Sequence, residues 1–206
     1  MSTHKLISDK IASMKSGIIL FPTDFRGTGS DTAIKMSLSR FASAGKLSRL
    51  SNGIYVKPSA EGNDGILLDA EGIAEAIAEK ESVKIKPAGA LAQFKLGIAK
   101  QMPDQLTYVT DGEPRKLVIG EKLLVFKSTT PKKLSMQGPI SSLVIQILEE
   151  VGQKNIDQHL LNKLELLIQK EDYQLLLADM KKAAAWIYNL LWKLLDKLNK
   201  DGKKEK

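Results

Sequence analysis

Cysteine is absent from the 206 residues of this chain, and histidine occurs only as His4 and His159. The lack of cysteine excludes disulfides, thiolate metal sites and thiol nucleophiles, and it fits a reducing compartment. Because the two histidines lie in unrelated segments, they do not form a metal cluster or a catalytic triad. We therefore expect no metal and no cofactor in this protein.

The chain also lacks a hydrophobic run of the roughly 18 residues that a membrane-spanning helix needs. Its N-terminus has no apolar core of the kind that a signal peptide carries. A hydrophobic fraction of 43% is ordinary for a globular protein. We expect a cytoplasmic protein that has no membrane partner.

Acidic residues are scarce in the first quarter of the chain. Residues 1–58 hold six lysines and three arginines, but only three aspartates and no glutamate. The rest of the chain is nearly balanced, so most of the net charge of +7 comes from this segment. Such asymmetry is typical of a module that binds nucleic acid, and chance clustering of solvated lysines is the alternative.

The order of predicted elements in residues 1–58 is helix, strand, short helix, helix and hairpin. Their boundaries are residues 3–14, 18–21, 22–25 and 31–44, followed by strands at 46–50 and 54–56. Ser30 or Asp31 caps the third helix, and Asn52-Gly53 is a strong hairpin signal. This order predicts a winged helix-turn-helix whose third helix is the recognition element.

The third predicted helix has two chemically different faces. Ile34, Leu38 and Phe41 recur at the spacing of a single helical stripe. The opposite side, which we name the outer face, consists of Thr32, Lys35, Met36, Ser39, Arg40 and Ser43. Hydroxyls and cations without a carboxylate favour contact with a polyanion. The pattern therefore predicts DNA binding, and we interpret Met36 as a packed residue rather than a contact to a thymine methyl group.

The candidate DNA contacts belong to the helix and to the hairpin. An arginine can read guanine in the major groove, and the N-terminus of a helix favours phosphate. For Arg40 the alternative is a surface cation that covers Phe41. In the hairpin, regular alternation would put Leu47 and Arg49 on one face, so one of them must deviate. The complete set is Thr28, Ser30, Thr32, Lys35, Ser39, Arg40, Ser43, Lys46, Arg49, Asn52 and Lys57.

The remainder of the chain predicts three further regions after a polar, glycine-rich linker. Those regions are a small mixed α/β domain with a short antiparallel sheet, a helical region and a charged tail. Within them we expect a helix over 66–80, a helix opened by Pro87, and a single long helix over 172–198. The predicted fold class is α+β. The boundaries are 1–58 for the winged helix, then 59–65, 66–138, 139–198 and 199–206.

The sequence offers little support for catalysis. Asp111-Gly112 is explained by a turn, and a nuclease-like reading of Asp104 and Lys127 would require an acid two residues before the lysine. Val125 occupies that position, so we expect a protein that is not an enzyme. The helix with Trp186 and Trp192 has leucines nearly all round, which predicts core packing or an apolar groove for a partner or a second copy.

Several short motifs occur in an order that resembles one known family. They are Phe21-Pro22-Thr23-Asp24-Phe25, Leu38-Ser39-Arg40-Phe41, Gly45-Lys46-Leu47, Gly53-Ile54-Tyr55, Pro87-Ala88-Gly89-Ala90-Leu91-Ala92, Leu106-Thr107-Tyr108-Val109-Thr110-Asp111-Gly112 and Ala184-Ala185-Trp186-Ile187. Together they resemble the AbiEi-type antitoxins of bacterial type IV toxin–antitoxin, or abortive infection, systems. The resemblance covers most of residues 1–130 and, more loosely, the rest.

The resemblance implies an antitoxin that represses its own operon through the winged helix. It also implies a cognate nucleotidyltransferase-like toxin, whose effect is countered without need of a stable complex. The expected partners are therefore operator DNA, bound by one copy or by a homo-oligomer, and the toxin in a functional sense. The alternative is direct sequestration of a toxin by residues 60–206.

Overall fold

A computed structural model of the chain describes residues 1–58, 69–119 and 121–201. These residues form helices and two small sheets. The fold is therefore mixed α and β, which is consistent with the predicted α+β class. The chain divides into two compact units. The first comprises residues 1–82 and 117–124, and the second comprises residues 83–116 and 125–206.

The first unit begins with the elements predicted from the sequence. In chain order they are α1 (Thr3–Ser13), β1 (Ile19–Leu20), a 3-10 turn (Pro22–Phe25), α2 (Asp31–Ser43), β2 (Ser48–Ser51), β3 (Ile54–Val56) and α3 (Ala70–Glu81). The third predicted helix is thus α2. Its Ser30 cap is confirmed, since the hydroxyl oxygen accepts a hydrogen bond from Ala33 N at 3.3 Å.

The first sheet is antiparallel, with the strand order β1-β3-β2. Ile19 pairs with Val56, and Arg49 pairs with Tyr55. The β2–β3 turn contains Gly53 at φ +74°, a conformation that favours glycine. The hairpin therefore supplies two of the three strands of this sheet.

The core of the first unit forms where α1, α2 and the hairpin meet. Its buried side chains are Ile7, Ile11, Leu20, Phe25, Ile34, Leu38, Phe41, Leu47 and Tyr55. Burying aliphatic and aromatic surface of this kind stabilises the fold by roughly 25 cal/mol per Å². Because the inner face of α2 is committed to this core, its opposite face is turned outward.

From residue 85 on, the chain forms short strands and then becomes helical. The elements from residue 85 on are β4 (Ile85–Ala88), α4 (Gly89–Lys95), β5 (Gln105–Thr110), β6 (Arg115–Ile119), β7 (Lys122–Ser128), α5 (Pro131–Leu134), α6 (Ser141–Val151), a 3-10 turn (Gln153–Asn155), α7 (Gln158–Ile168), α8 (Tyr173–Met180) and α9 (Ala185–Asp201). Their sheet has the order β4-β5-β7-β6, and β4 pairs antiparallel with β5.

Two of the predicted elements are wrong. Pro87 does not open a helix: it lies in β4, where it pairs with Tyr108, and the helix starts at Gly89. The predicted long helix over 172–198 is two helices, α8 and α9, separated by residues 181–184. The break is not evident from the sequence, because residues 181–184 are Lys-Lys-Ala-Ala, which all favour a helix. Only the packing of the turn distinguishes two helices from one.

A carboxylate clamp holds the loop before α6. Asp179 is fully buried, and its carboxylate accepts hydrogen bonds from Gln137 N at 2.9 Å, Gly138 N at 2.8 Å and the Ser141 hydroxyl at 2.7 Å. Glu171 Oε2 accepts from the backbone N–H of both Ile140 and Ser141 at 2.7 Å. These contacts satisfy N–H groups at the start of α6 that have no partner within the helix.

The predicted domain boundaries stay predictions. The linker at 59–65 lies outside the described residues, as do residues 66–68 of the helix predicted over 66–80 and residues 202–206 of the tail. The described part of that helix, α3, belongs to the same compact unit as residues 1–58. In the described part of the chain, no helix combines the length and apolar character needed to cross a bilayer.

Candidate nucleic-acid interface

The outer face of α2 is exposed along its length. Lys35, Ser39, Arg40 and Ser43 are all exposed, whereas Ile34, Leu38 and Phe41 on the other side are at most 3% exposed. An isolated cation on a surface is unremarkable, but here two cations and several hydroxyls share one side of a rigid helix. This face can therefore meet a phosphate backbone without unfolding any part of the core.

Met36 lies on this exposed face and is not packed. Its side chain is 51% exposed, so the interpretation of Met36 as a packed residue is wrong. The physical reason is the helical period, which turns Met36 about 200° away from Ile34 and from Leu38. An apolar side chain therefore stands among the cations and hydroxyls of the outer face.

The N-terminal end of α2 uses two of the candidate hydroxyls for its own structure. The Ser30 hydroxyl caps the helix, as described above, and the half-buried Thr28 hydroxyl donates a hydrogen bond to Phe25 O at 2.7 Å. Thr32, two residues after Ser30, is exposed. Ser30 and Thr28 thus shape the entry into α2, and Thr32 lies on the surface beside them.

A groove of about 420 Å³ separates α2 from the β2–β3 hairpin. Lys35 and Ser39 line it from the helix, and Arg49 and Asn52 line it from the hairpin. Arg49 Nη2 donates a hydrogen bond to Asn52 Oδ1, which directs the guanidinium along the hairpin. The groove therefore combines candidate residues that are well separated in the chain into one cationic concave surface.

The hairpin resolves the conflict between Leu47 and Arg49. β2 begins at Ser48, so Leu47 precedes the regular strand and lies buried in the core, at 2% exposure. Arg49 is exposed. Because the strand starts one residue after Leu47, the two side chains do not have to share a face.

Lys46 and Phe41 form a cation–π contact near the C-terminus of α2. The Lys46 ammonium lies 5.8 Å from the centroid of the Phe41 ring, and His4 stacks on the same ring with centroids 4.3 Å apart. The alternative interpretation of Arg40 was a surface cation that covers the Phe41 ring. In the structure Lys46 and His4 cover that ring. Arg40 is exposed on the outer face.

Lys57 is placed differently from the other candidates. Its ammonium donates hydrogen bonds to the carbonyl oxygens of Ile11 at 2.8 Å, Ala12 at 3.0 Å and Met14. These are carbonyls at the C-terminal end of α1, where a cation is favoured by the helix dipole. The structure therefore gives Lys57 a capping role that sequence reasoning did not identify, because α1 and β3 are far apart in the chain.

Sequence reasoning also left out two cations near Lys35. Arg26 and Lys80 line a second cleft of about 510 Å³, to which Lys35 and Phe21 also contribute. Lys80 also forms an ion pair with Asp24, whose carboxylate accepts a hydrogen bond from Phe21 N at 2.8 Å. The sequence shows Arg26 as one of the cations of the basic segment. Lys80 lies outside that segment, and only the packing of α3 brings it to this cleft.

The carboxylates and histidines of the chain bear on the expectation that it binds no metal. In residues 1–58, 69–119 and 121–201, no three histidine or carboxylate side chains are grouped to hold a metal ion. Val125 is buried in β7, and the Lys127 ammonium lies 3.9 Å from a carboxylate oxygen of Glu150. Lys127 and Glu150 thus form an ion pair.

The first unit thus presents a helix and a hairpin whose exposed sides form a cationic surface on a mixed α/β protein. Residues 6–176 match the model of DUF6088, a family of unknown function, and the chain belongs to that family. No curated protein matches the chain.

Proposed function

We propose that this protein is a DNA-binding transcription regulator and that residues 1–58 act as a winged helix-turn-helix. The observation that carries the proposal is the groove between α2 and the hairpin, in which Lys35 and Ser39 face Arg49 and Asn52. A helix of 13 residues with one face in the core and the other exposed has the dimensions to enter a major groove. The hairpin would then act as the wing.

The residues of this surface divide by chemistry into two roles. Arg40 is the residue that can read guanine through two parallel hydrogen bonds, since its guanidinium is planar and exposed. Lys35, Ser39, Ser43 and Thr32 would position the helix on phosphates and base edges. Arg49 and Asn52 would reach the adjacent backbone or minor groove from the wing.

We further propose that the regulated operon is the protein's own and that the protein is the antitoxin of a type IV, AbiE-like system. Its counterpart would be a nucleotidyltransferase-like toxin, countered without a stable complex, and several copies could assemble on the operator. This part rests on the sequence resemblance to AbiEi-type antitoxins. The basic surface supports only the DNA-binding half.

Binding to the DNA upstream of its own gene tests the regulatory function. Fluorescence anisotropy with the full-length protein should show tighter binding to that fragment than to a scrambled duplex of equal length and composition. Lys35→Ala/Arg40→Ala should weaken binding by at least about tenfold, because both cations lie on the outer face. Lys154→Ala/Lys181→Ala removes the same charge from exposed positions in the second unit and is the matched control. Equal binding by both double variants would refute the interface.

A second candidate, sequestration of the toxin by residues 60–206, is favoured by a groove among the C-terminal helices. That groove measures about 390 Å³. It is lined by Ile156, Leu161, Trp186 and Leu190 together with the polar side chains of Gln153, Asn189 and Lys193. The product of the adjacent gene tests it: copurification of that product with the full-length protein, and loss of copurification on Asn189→Arg at the groove, would support sequestration. Rescue from toxicity without copurification would support the type IV mechanism instead.

A further inference from the structure

Met36 occupies the centre of the outer face, although the core does not require it there. It is half exposed, and it points away from Ile34 and Leu38, which are at most 1% exposed. The side chains that α2 contributes to the core of the first unit lie on its opposite face, and Met36 is not among them. Burial therefore does not explain why this position carries a long apolar side chain.

The neighbours of Met36 are the groups that would contact DNA. Thr32 and Arg40 lie one turn before and after it, Ser39 lies three residues on, and all three are exposed. Single exposed apolar residues are common on protein surfaces. This one is different because every exposed neighbour on its face is polar, and because a thioether adds nothing to phosphate binding.

The major groove contains a partner that matches this side chain. The C5-methyl group of thymine is the apolar group that base pairs present there, and flexible methionine adapts well to such a contact. We propose that Met36 is a specificity-determining residue that packs on a thymine methyl group of the operator. This inference rests on the DNA-binding function proposed above and adds to it the kind of base pair that is read.

The geometry of the helix also places this thymine. Met36 and Arg40 are four residues apart, which is about 6 Å along the axis of α2. Successive bases on a strand are about 3.4 Å apart. The thymine read by Met36 therefore lies within about two base pairs of the base that Arg40 contacts.

Replacement of thymine by deoxyuridine tests this contact, because it removes the methyl group and leaves the base pairing intact. Single replacements are made across the shortest upstream fragment that the full-length protein binds, and each Kd is measured by anisotropy. At one position the loss of the methyl group should weaken binding of the wild-type protein by about three- to tenfold. At the same position it should change the Kd of Met36→Ala by less than about twofold.

Two further variants separate a contact from a general disturbance. Met36→Leu keeps an apolar side chain and should retain the deoxyuridine effect, whereas Met36→Gln keeps the length and should lose it. Val118→Ala is the matched control, since Val118 is an exposed apolar residue that belongs to β6 and not to α2. It should respond to deoxyuridine like the wild-type protein.

The outcomes separate this inference from the function on which it rests. The role of Met36 is overturned if the protein binds the fragment but no deoxyuridine replacement weakens binding. It is also overturned if a replacement weakens binding of the wild type and of Met36→Ala equally. In both cases the DNA-binding function remains intact. Failure of the wild-type protein to bind any upstream fragment overturns both.

Discussion

Lys57 Nζ donates a hydrogen bond of 2.8 Å to the carbonyl oxygen of Ile11, although 46 positions separate the two residues in the chain. The same ammonium also reaches the carbonyls of Ala12 and Met14. In this way a cation at the end of β3 closes the C-terminus of α1. A residue selected from the sequence as a DNA contact is thereby engaged in holding the first unit together.

We expect Lys57→Met to lower the free energy of unfolding while changing the affinity for DNA only slightly. The substitution keeps the aliphatic stem but removes a charged donor from three carbonyl groups, which costs about 1–2 kcal/mol at this partly exposed site. Urea unfolding followed by circular dichroism measures the loss. Lys15→Met, at an exposed position of the same segment that is not among the candidate DNA contacts, is the control. A tenfold loss of DNA affinity with unchanged stability would show instead that Lys57 contacts DNA.

The salt dependence of DNA binding should report Lys35 and Arg40 directly. Each cation that neutralises a phosphate releases condensed counterions. Because Lys35 is the phosphate contact of the pair and Arg40 reads a base, Lys35→Ala/Arg40→Ala should reduce the slope of log K against log salt by at least about one unit. Anisotropy titrations at several salt concentrations give this slope. The control pair Lys154→Ala/Lys181→Ala should keep the wild-type slope. A common slope for all three proteins would show that the outer face does not contact phosphate.

Arg49 and Asn52 should act on DNA as a unit. Because Asn52 Oδ1 accepts a hydrogen bond from the Arg49 guanidinium, loss of the amide leaves the arginine less well oriented. Asn52→Ala should therefore weaken binding, and the double variant should bind about as weakly as Arg49→Ala alone. A double-mutant cycle with a coupling energy of about 0.5 kcal/mol or more is expected. Additive effects would mean that the two side chains contact DNA independently.

Asp179 should be among the most sensitive positions of the second unit. Asp179→Ala removes a buried acceptor shared by two backbone N–H groups and the Ser141 hydroxyl, so a loss of about 3 kcal/mol or more is expected. Trp186 and Trp192 are the only tryptophans in the chain, so urea unfolding followed by their fluorescence reports on this unit.

Ser141→Ala provides the comparison for the clamp. It removes one donor to Asp179 and leaves the backbone hydrogen bonds in place, so its cost should be about 1 kcal/mol. Gly138→Ala tests the close approach at the same site, since an added methyl group would collide with Ser141 and Glu171. Wild-type stability of Asp179→Ala would contradict the clamp.

The local pattern of the chain was sufficient for the first unit's elements and for the two faces of α2. A helical stripe of Ile34, Leu38 and Phe41 defines the inner face, and Ser30 and Gly53 mark a cap and a turn by their own backbone preferences. The same period already places Met36 on the outer face, and its exposure agrees with that position rather than with its interpretation as a packed residue.

Only the tertiary structure decided which cations are free to act at a surface and which hold the fold together. The capping of α1 by Lys57, the approach of Lys80 to Asp24, and the clamp of Asp179 on Gly138 all join residues that are distant in the chain. A lysine or a carboxylate has the same local signature whether it is solvated or bonded. Its role depends on the acceptors and donors that packing brings to it, and a sequence pattern contains no record of those distances.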